Sequence, residues 1–143
     1  MSANSRLTVA VHVLTWMALA RGRGRELVTS DQIATSVNTN PVVIRRTLGQ
    51  LRAAGLVAVQ HGTGAGWRLA RAPEELTLLQ VHDAVERDQP LFGLHANTPN
   101  LDCPVGRGIR PALTQVYDQV ADSMKRELAR TSIADVLRAT LAA

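Results

Sequence analysis

A mainly α-helical chain with one small β-hairpin is the fold class this sequence predicts, and three stretches predict it. Residues 40–71 read as a capped helix followed by two short extended segments around His61-Gly-Thr-Gly-Ala-Gly. A shorter capped segment, Ser30–Val37, precedes that helix by only a few polar residues. Toward the C-terminus, apolar residues recur at helical spacing over about five turns, far longer than a small domain needs.

In chain order, residues 7–20 come first, apolar at Leu7, Ala10, Val11, Leu14, Met17 and Ala18, with Ser5 as the candidate cap. The segment is too short to cross a bilayer and reads as a core helix. His12 and Trp16 lie one turn apart and are expected to pack in or beside the core. Arg21-Gly-Arg-Gly-Arg is a basic linker, either solvated or set against a phosphate. Thr29 and Gln32 form a capping-box pattern that starts the Ser30–Val37 helix, whose inner face is Ile33, Ala34 and Val37. Asn38 and Thr39 make the turn.

The next helix has Asn40 as N-cap and Pro41 at the first helical position, where its missing N–H costs nothing. Ile44, Leu48 and Leu51 define its buried stripe. At about 100° per residue, Val42, Arg46, Gly49 and Ala53 then face the other way, with Arg45 and Gln50 on the flanks. Gly55 ends the helix, and residues 56–60 and 67–70 form the hairpin. Two short helices joined by a turn are a helix-turn-helix pattern, the second helix being the reader, and the glycine-closed hairpin supplies a wing.

A winged helix-turn-helix predicts double-stranded DNA as the partner. Arg45 and Arg46 are suited to phosphate or, bidentately, to guanine. Thr39 and the helix N-terminal amides would hold a phosphate, and Val42 would meet a thymine methyl. Thr29 and Ser30 are further phosphate candidates whose alternative is plain capping. His61, Thr63, Gly64 and Arg68 belong to the wing. Gly49 leaves two readings open, close backbone approach or no role.

Pro73 breaks the chain, and Thr77 with Gln80 repeats the capping box, with Leu76 and Val81 placed as a hydrophobic staple before the helix Leu78–Glu86. An irregular loop with two prolines leads through Cys103-Pro-Val-Gly-Arg-Gly into the longest helix. Its stripe is Ile109, Leu113, Val116, Val120, Met124 and Leu128, with Tyr117 alongside. A partner helix, most simply in a two-fold homodimer, would cover it, the alternative being its own domain. Ser132 and Asp135 start a last helix bearing Ile133, Val136, Leu137 and Leu141. The expected organisation is a winged domain over residues 1–88, a loop with a candidate sensor cysteine over 89–108, and dimerisation helices over 109–143.

Composition narrows the function. The formal charge of +4 favours a polyanionic partner. Aromatic residues at 3% are too few for a single-strand stacking platform. A single cysteine excludes a disulfide framework and a tetracysteine zinc site. No apolar run is long enough for a membrane span and no signal-peptide pattern stands at the start, so a cytoplasmic protein without membrane partners is expected. Catalytic spacings of the Ser-His-Asp, phosphate-loop or paired-cysteine kind are missing, so no enzyme is expected. Cys103 is the candidate regulatory residue, since a helix start and the nearby Arg107 and Arg110 would favour its thiolate. The alternative is an inert small side chain. His82 and Glu86 lie one turn apart, and His95 precedes Cys103, yet no third strong metal ligand accompanies them.

The order LTVAVHVLTWMALA, then the capped pair of helices with AGLV, the glycine-rich turn, Trp67 and LAR, then LTLLQVHDAVE and a cysteine-bearing loop before a long helix, resembles the Rrf-two family of winged-helix repressors, the IscR/NsrR/CymR group. The resemblance covers nearly the whole chain. It implies a homodimer whose long helices pair and whose reading helices meet a palindromic operator, with half-sites about one duplex turn apart. Many members bind an iron–sulfur cluster through three cysteines in that loop. This chain has Cys103 alone there, so no cluster or other cofactor is expected, and an oxidant or small molecule becomes the implied signal. The family often carries arginine where this chain has His61, which implies weaker charge-based reading of the minor groove here. The runner-up function is a redox or metal-binding sensor that keeps the winged domain only as a scaffold.

Overall fold

The computed structural model describes residues 5–86 and 89–143. Six α-helices and one hairpin follow in the order α1 (Arg6–Gly22), α2 (Ser30–Val37), α3 (Pro41–Ala53), β1 (Val57–Gln60), β2 (Gly66–Leu69), α4 (Leu78–Glu86), α5 (Pro104–Ala129) and α6 (Ile133–Leu141), with a 3-10 turn at Pro73–Glu75. Two compact units result, residues 1–87 with 128–143, and residues 88–127. The last helix, expected among the dimerisation helices of residues 109–143, belongs to the first of these units.

In that first unit the capping chemistry lies where the sequence puts it. The Thr29 hydroxyl accepts from the Gln32 N–H at 3.1 Å while the Gln32 side chain accepts from the Thr29 N–H at 2.9 Å. Thr77 and Gln80 repeat the exchange, at 3.2 Å to the hydroxyl and 3.0 Å to the side-chain amide oxygen. The Asn40 side chain accepts from the Val42 N–H at 2.8 Å, and Gly55 takes the left-handed φ of 78° that ends α3. Ser5 makes no side-chain capping bond, so the cap expected for α1 is not formed.

The core gathers Leu14 and Met17 of α1, Ile33 of α2, Ile44, Leu48 and Leu51 of α3, Leu56, Val81 of α4 and Ile133 of α6. Each such burial is worth about 1.5–3 kcal/mol. Both staple residues, Leu76 and Val81, are completely buried. Helix α6 is stitched to the start of α4: Leu78 N–H donates to the Thr131 carbonyl at 2.9 Å and Ile133 N–H to the Leu76 carbonyl at 2.8 Å. The antiparallel strands pair Val57 with Leu69 through Gln60 with Gly66. Each strand starts and ends within one residue of its expected place.

A third short segment joins the hairpin. Val28 exchanges backbone hydrogen bonds with Trp67 at 3.0 and 2.7 Å. Gly66 makes this possible, since a Cβ there would stand 3.0 Å from the Val28 carbonyl oxygen.

In the second unit, α5 begins at Pro104, not at Ile109. Pro104 occupies a first-turn position, where proline is tolerated. A Cβ at Gly106 would collide with the Asn100 carbonyl oxygen, so the glycine lets the loop turn close onto the first helical turn. Arg110 braces the same loop, donating to the carbonyls of His95 at 2.8 Å and Asn97 at 2.9 Å. The rings of Phe92 and Tyr117 meet with centroids 5.0 Å apart. No residue of α5 is buried within the chain. Among the described residues, no helix is long and apolar enough to cross a membrane.

Candidate nucleic-acid interface

Helix α3 packs against α2 and β1 through one stripe and leaves the opposite face open. Arg45, Arg46, Gly49 and Ala53 are exposed, Val42 is 51% exposed, and Gln50 is half-buried. Among the described residues neither Arg45 nor Arg46 has a hydrogen bond or ion pair, so both guanidinium groups are available to a partner. No acidic residue stands on the helix, and Arg52 adds a third exposed positive charge in its last turn. Arg52 is not among the residues expected from the sequence, although its place three residues beyond Gly49 and seven beyond Arg45 puts it on their side of the helix. Thr47 carries no exposed function, because it is buried and donates its hydroxyl to the Val43 carbonyl at 2.9 Å.

The start of α3 is an open helix N-terminus with its positive dipole end. Asn40 is exposed and already spends its side-chain oxygen as cap, while Thr39 is half-buried beside it. Asn38 sits at φ 61°, a left-handed conformation asparagine tolerates, and makes the turn that sets α3 against α2. At the start of α2 the Thr29 hydroxyl is occupied by its capping box, with Ser30 half-buried next to it. The wing residues His61, Thr63, Gly64 and Arg68 are all exposed, and Gly62 and Gly64 take positive φ, at 81° and 71°.

The basic linker lies at the far end of the hairpin from its tip. The Arg21 guanidinium donates to the Arg71 carbonyl at 3.3 Å, and the Arg25 guanidinium sits 5.9 Å from the centre of the Trp16 ring. His12 is exposed and its Nε2 lies 3.0 Å from the Ser36 hydroxyl, an α1–α2 link that replaces the expected core packing.

Gly49 can be tested directly. An added Cβ meets nothing within 4 Å, so the protein itself does not require a glycine. Mid-helix glycine costs about 1 kcal/mol relative to alanine. Gly49→Ala is expected to stabilise the fold by about that amount and to weaken duplex binding, as read by thermal unfolding and anisotropy titration. A stabilised protein with unaltered binding would remove Gly49 from the interface.

Cys103 is exposed at the start of α5. Hydrogen bonds from the backbone N–H groups of Gly106, chiefly, and Val105 hold its thiol below the ordinary value. The arginines expected to do this do not contribute, and Arg110 is turned to loop carbonyls instead.

A family model described as Rrf2, iron-dependent transcriptional regulator, matches residues 3–139. YwnA of Bacillus subtilis (strain 168), provisionally named an HTH-type transcriptional regulator, is 40% identical over 134 residues, spanning 94% of this chain and 96% of that protein. A crystal structure provisionally named a DNA binding protein is 35% identical, with a TM-score of 0.71 over 93% of this chain and 99% of that one. The structure of T. potens IscR shares the fold at a TM-score of 0.72 and 19% identity, over 98% of this chain and 88% of that one. Iron in the family description meets a poor donor set here. One thiol per chain cannot supply cysteine ligation, and among the described residues no three His, Cys, Asp or Glu side chains gather to hold a metal.

Proposed function

The chain belongs to the Rrf2 family of transcriptional regulators, and from that premise we propose that it is a homodimeric repressor whose two α3 helices read a palindromic operator. The observation that carries the reading is the outer face of α3, where Arg45 and Arg46 stand exposed and unpaired beside Val42. Arg45, Arg46 and Gln50 meet base edges and phosphates in the major groove, the amides after Asn40 and the residues Thr39, Thr29 and Ser30 hold the flanking backbone, and His61, Thr63, Gly64 and Arg68 follow the strand with the wing. The protein works on duplex DNA, as a regulator and not an enzyme; in a bacterial cell that work is cytoplasmic. Binding to labelled genomic duplex across a salt series tests the reading. The logarithm of affinity is expected to fall linearly with the logarithm of salt concentration, and a salt-independent or undetectable affinity would contradict it.

Dimerisation is assigned to α5. Val116 is 49% exposed, Val120 40% and Ile109 37%, while Leu113, Tyr117, Met124 and Leu128 are half-buried. These positions recur at spacings of three or four, so they line one side of α5 and form a stripe that a second helix can cover.

Cys103 is the regulatory residue in this reading. Its thiolate attacks a peroxide oxygen, the O–O bond breaks, hydroxide leaves and a sulfenic acid remains. Because the folded protein lowers the thiol's pKa, more thiolate is present near neutrality than an ordinary cysteine gives. The alkylation rate is expected to rise with pH through a midpoint below that of an ordinary cysteine. Cys103→Ser is expected to bind operator yet ignore peroxide. An ordinary midpoint, or equal peroxide responses in variant and wild type, would remove Cys103 from signalling.

A further inference from the structure

The tip of the wing carries a single ionisable group. Between Arg52 and Arg68 the sequence has no acidic or basic side chain except His61. Strand pairing ends at Gln60 with Gly66, so His61 is the first residue of the loop, and it stands exposed. Charged side chains on the neighbouring elements do not pair with it. Arg68 on β2 is paired in register with Ala58, three residues along β1 from His61, and shares a concavity with Glu26 and Arg21. Asp31 lies in the first turn of α2, and α3 adds Arg45, Arg46 and Arg52. Among the described residues, none of these makes a hydrogen bond or ion pair with the imidazole, nor does any other side chain. The other histidines are off the wing: His12 bonds Ser36, His82 lies 3.3 Å from the Asp83 carboxylate, and His95 belongs to the loop before α5.

We infer that the wing is a proton-linked clamp. His61 meets backbone phosphate beside the minor groove as an imidazolium, so each protomer takes up a proton from solvent as it closes on duplex DNA, and the grip tightens as pH falls from about 8 to about 6. The inference rests on the proposed reading of duplex by α3 and the wing. Histidine is the side chain whose charge ordinarily changes in that interval, while carboxylates and arginines keep theirs. A neutral imidazole offers one N–H and no charge. The imidazolium donates from both nitrogens and displaces a counterion from the phosphates. Affinity gained in this way is complete where the ring is charged even without DNA, and vanishes where the ring stays neutral beside phosphate. No second charge in the loop holds the contact through that change. Arg45 and Arg46 remain cationic throughout, so acidification strengthens the wing contact and leaves the helix contact as it is.

Anisotropy titration of labelled genomic duplex with the full chain, at about pH 6 and about pH 8 and across a salt series at each, tests the inference. Wild type is expected to bind up to about fivefold more tightly per protomer at the lower pH, the measure of one exposed ion pair. Its salt slope should be steeper there by about one per protomer. His61→Arg is expected to bind tightly with the steep slope at both pH values. His61→Gln should bind weakly with the shallow slope at both, each variant keeping the wild-type circular dichroism. A wild type whose affinity and slope ignore pH, or a His61→Gln variant that keeps the dependence, overturns the clamp and leaves the regulator reading standing. A wild type that holds no duplex at either pH overturns the regulator reading and the clamp together.

Discussion

Val116→Glu combined with Val120→Glu is expected to separate the dimer and cut operator affinity by about 10²–10⁴-fold, the factor by which linking two binding modules raises avidity. In the single chain these valines are 49% and 40% exposed, so the substitution removes no core contact and each protomer should fold as before. In a two-fold pair the new carboxylates meet their own copies across the seam, where like charges repel and lose water. Each reading helix then meets its half-site alone. Sedimentation should report the monomer mass and titration the weakened binding. A double variant that stays dimeric would take the interface away from α5.

Arg46→Ala is expected to weaken operator binding by about 1–3 kcal/mol for each protomer's contact and to leave the unfolding midpoint in place. Among the described residues the side chain has no partner, so its loss disturbs none of their interactions. How the loss appears depends on what the guanidinium touches. A bidentate contact to guanine relaxes preference at one base position, whereas a phosphate contact weakens all sequences alike and lowers the salt slope by about one. Gel-shift titration of operator and scrambled duplexes separates these outcomes. Unchanged affinity for both would remove Arg46 from the interface.

What the sequence disclosed reflects how local each piece of physics is. The Thr29–Gln32 and Thr77–Gln80 boxes, the Asn40-Pro41 start and the Gly55 stop are settled by atoms within four residues, and all four formed as read. The buried stripe Ile44, Leu48, Leu51 follows from period alone, and it fixes by elimination which face of α3 stays open. Other features depend on segments far apart in the chain. Pairing of Val28 with Trp67 has no periodicity to announce it, being a single pair of residues allowed by Gly66. Gly106 and Gly108 precede Ile109 and are poor helix formers, yet the Asn100 turn closing on Gly106 and the Arg110 brace support α5 from Pro104. Helix α6 carries apolar residues that would suit a partner equally well, and only its docking on α1 and beside the Pro73–Glu75 turn decides where they go. The His12–Ser36 link likewise required both helices in place before a surface histidine became distinguishable from a packed one.

The most direct measurement is sequencing of the genomic duplex fragments retained by the wild-type chain and by an Arg45→Ala, Arg46→Ala double variant. The wild type should enrich a palindrome whose half-sites are centred about one duplex turn apart, and the variant should lose that enrichment while keeping its fold. Fragments without two-fold symmetry, or the same palindrome recovered by both proteins, would contradict the reading of α3.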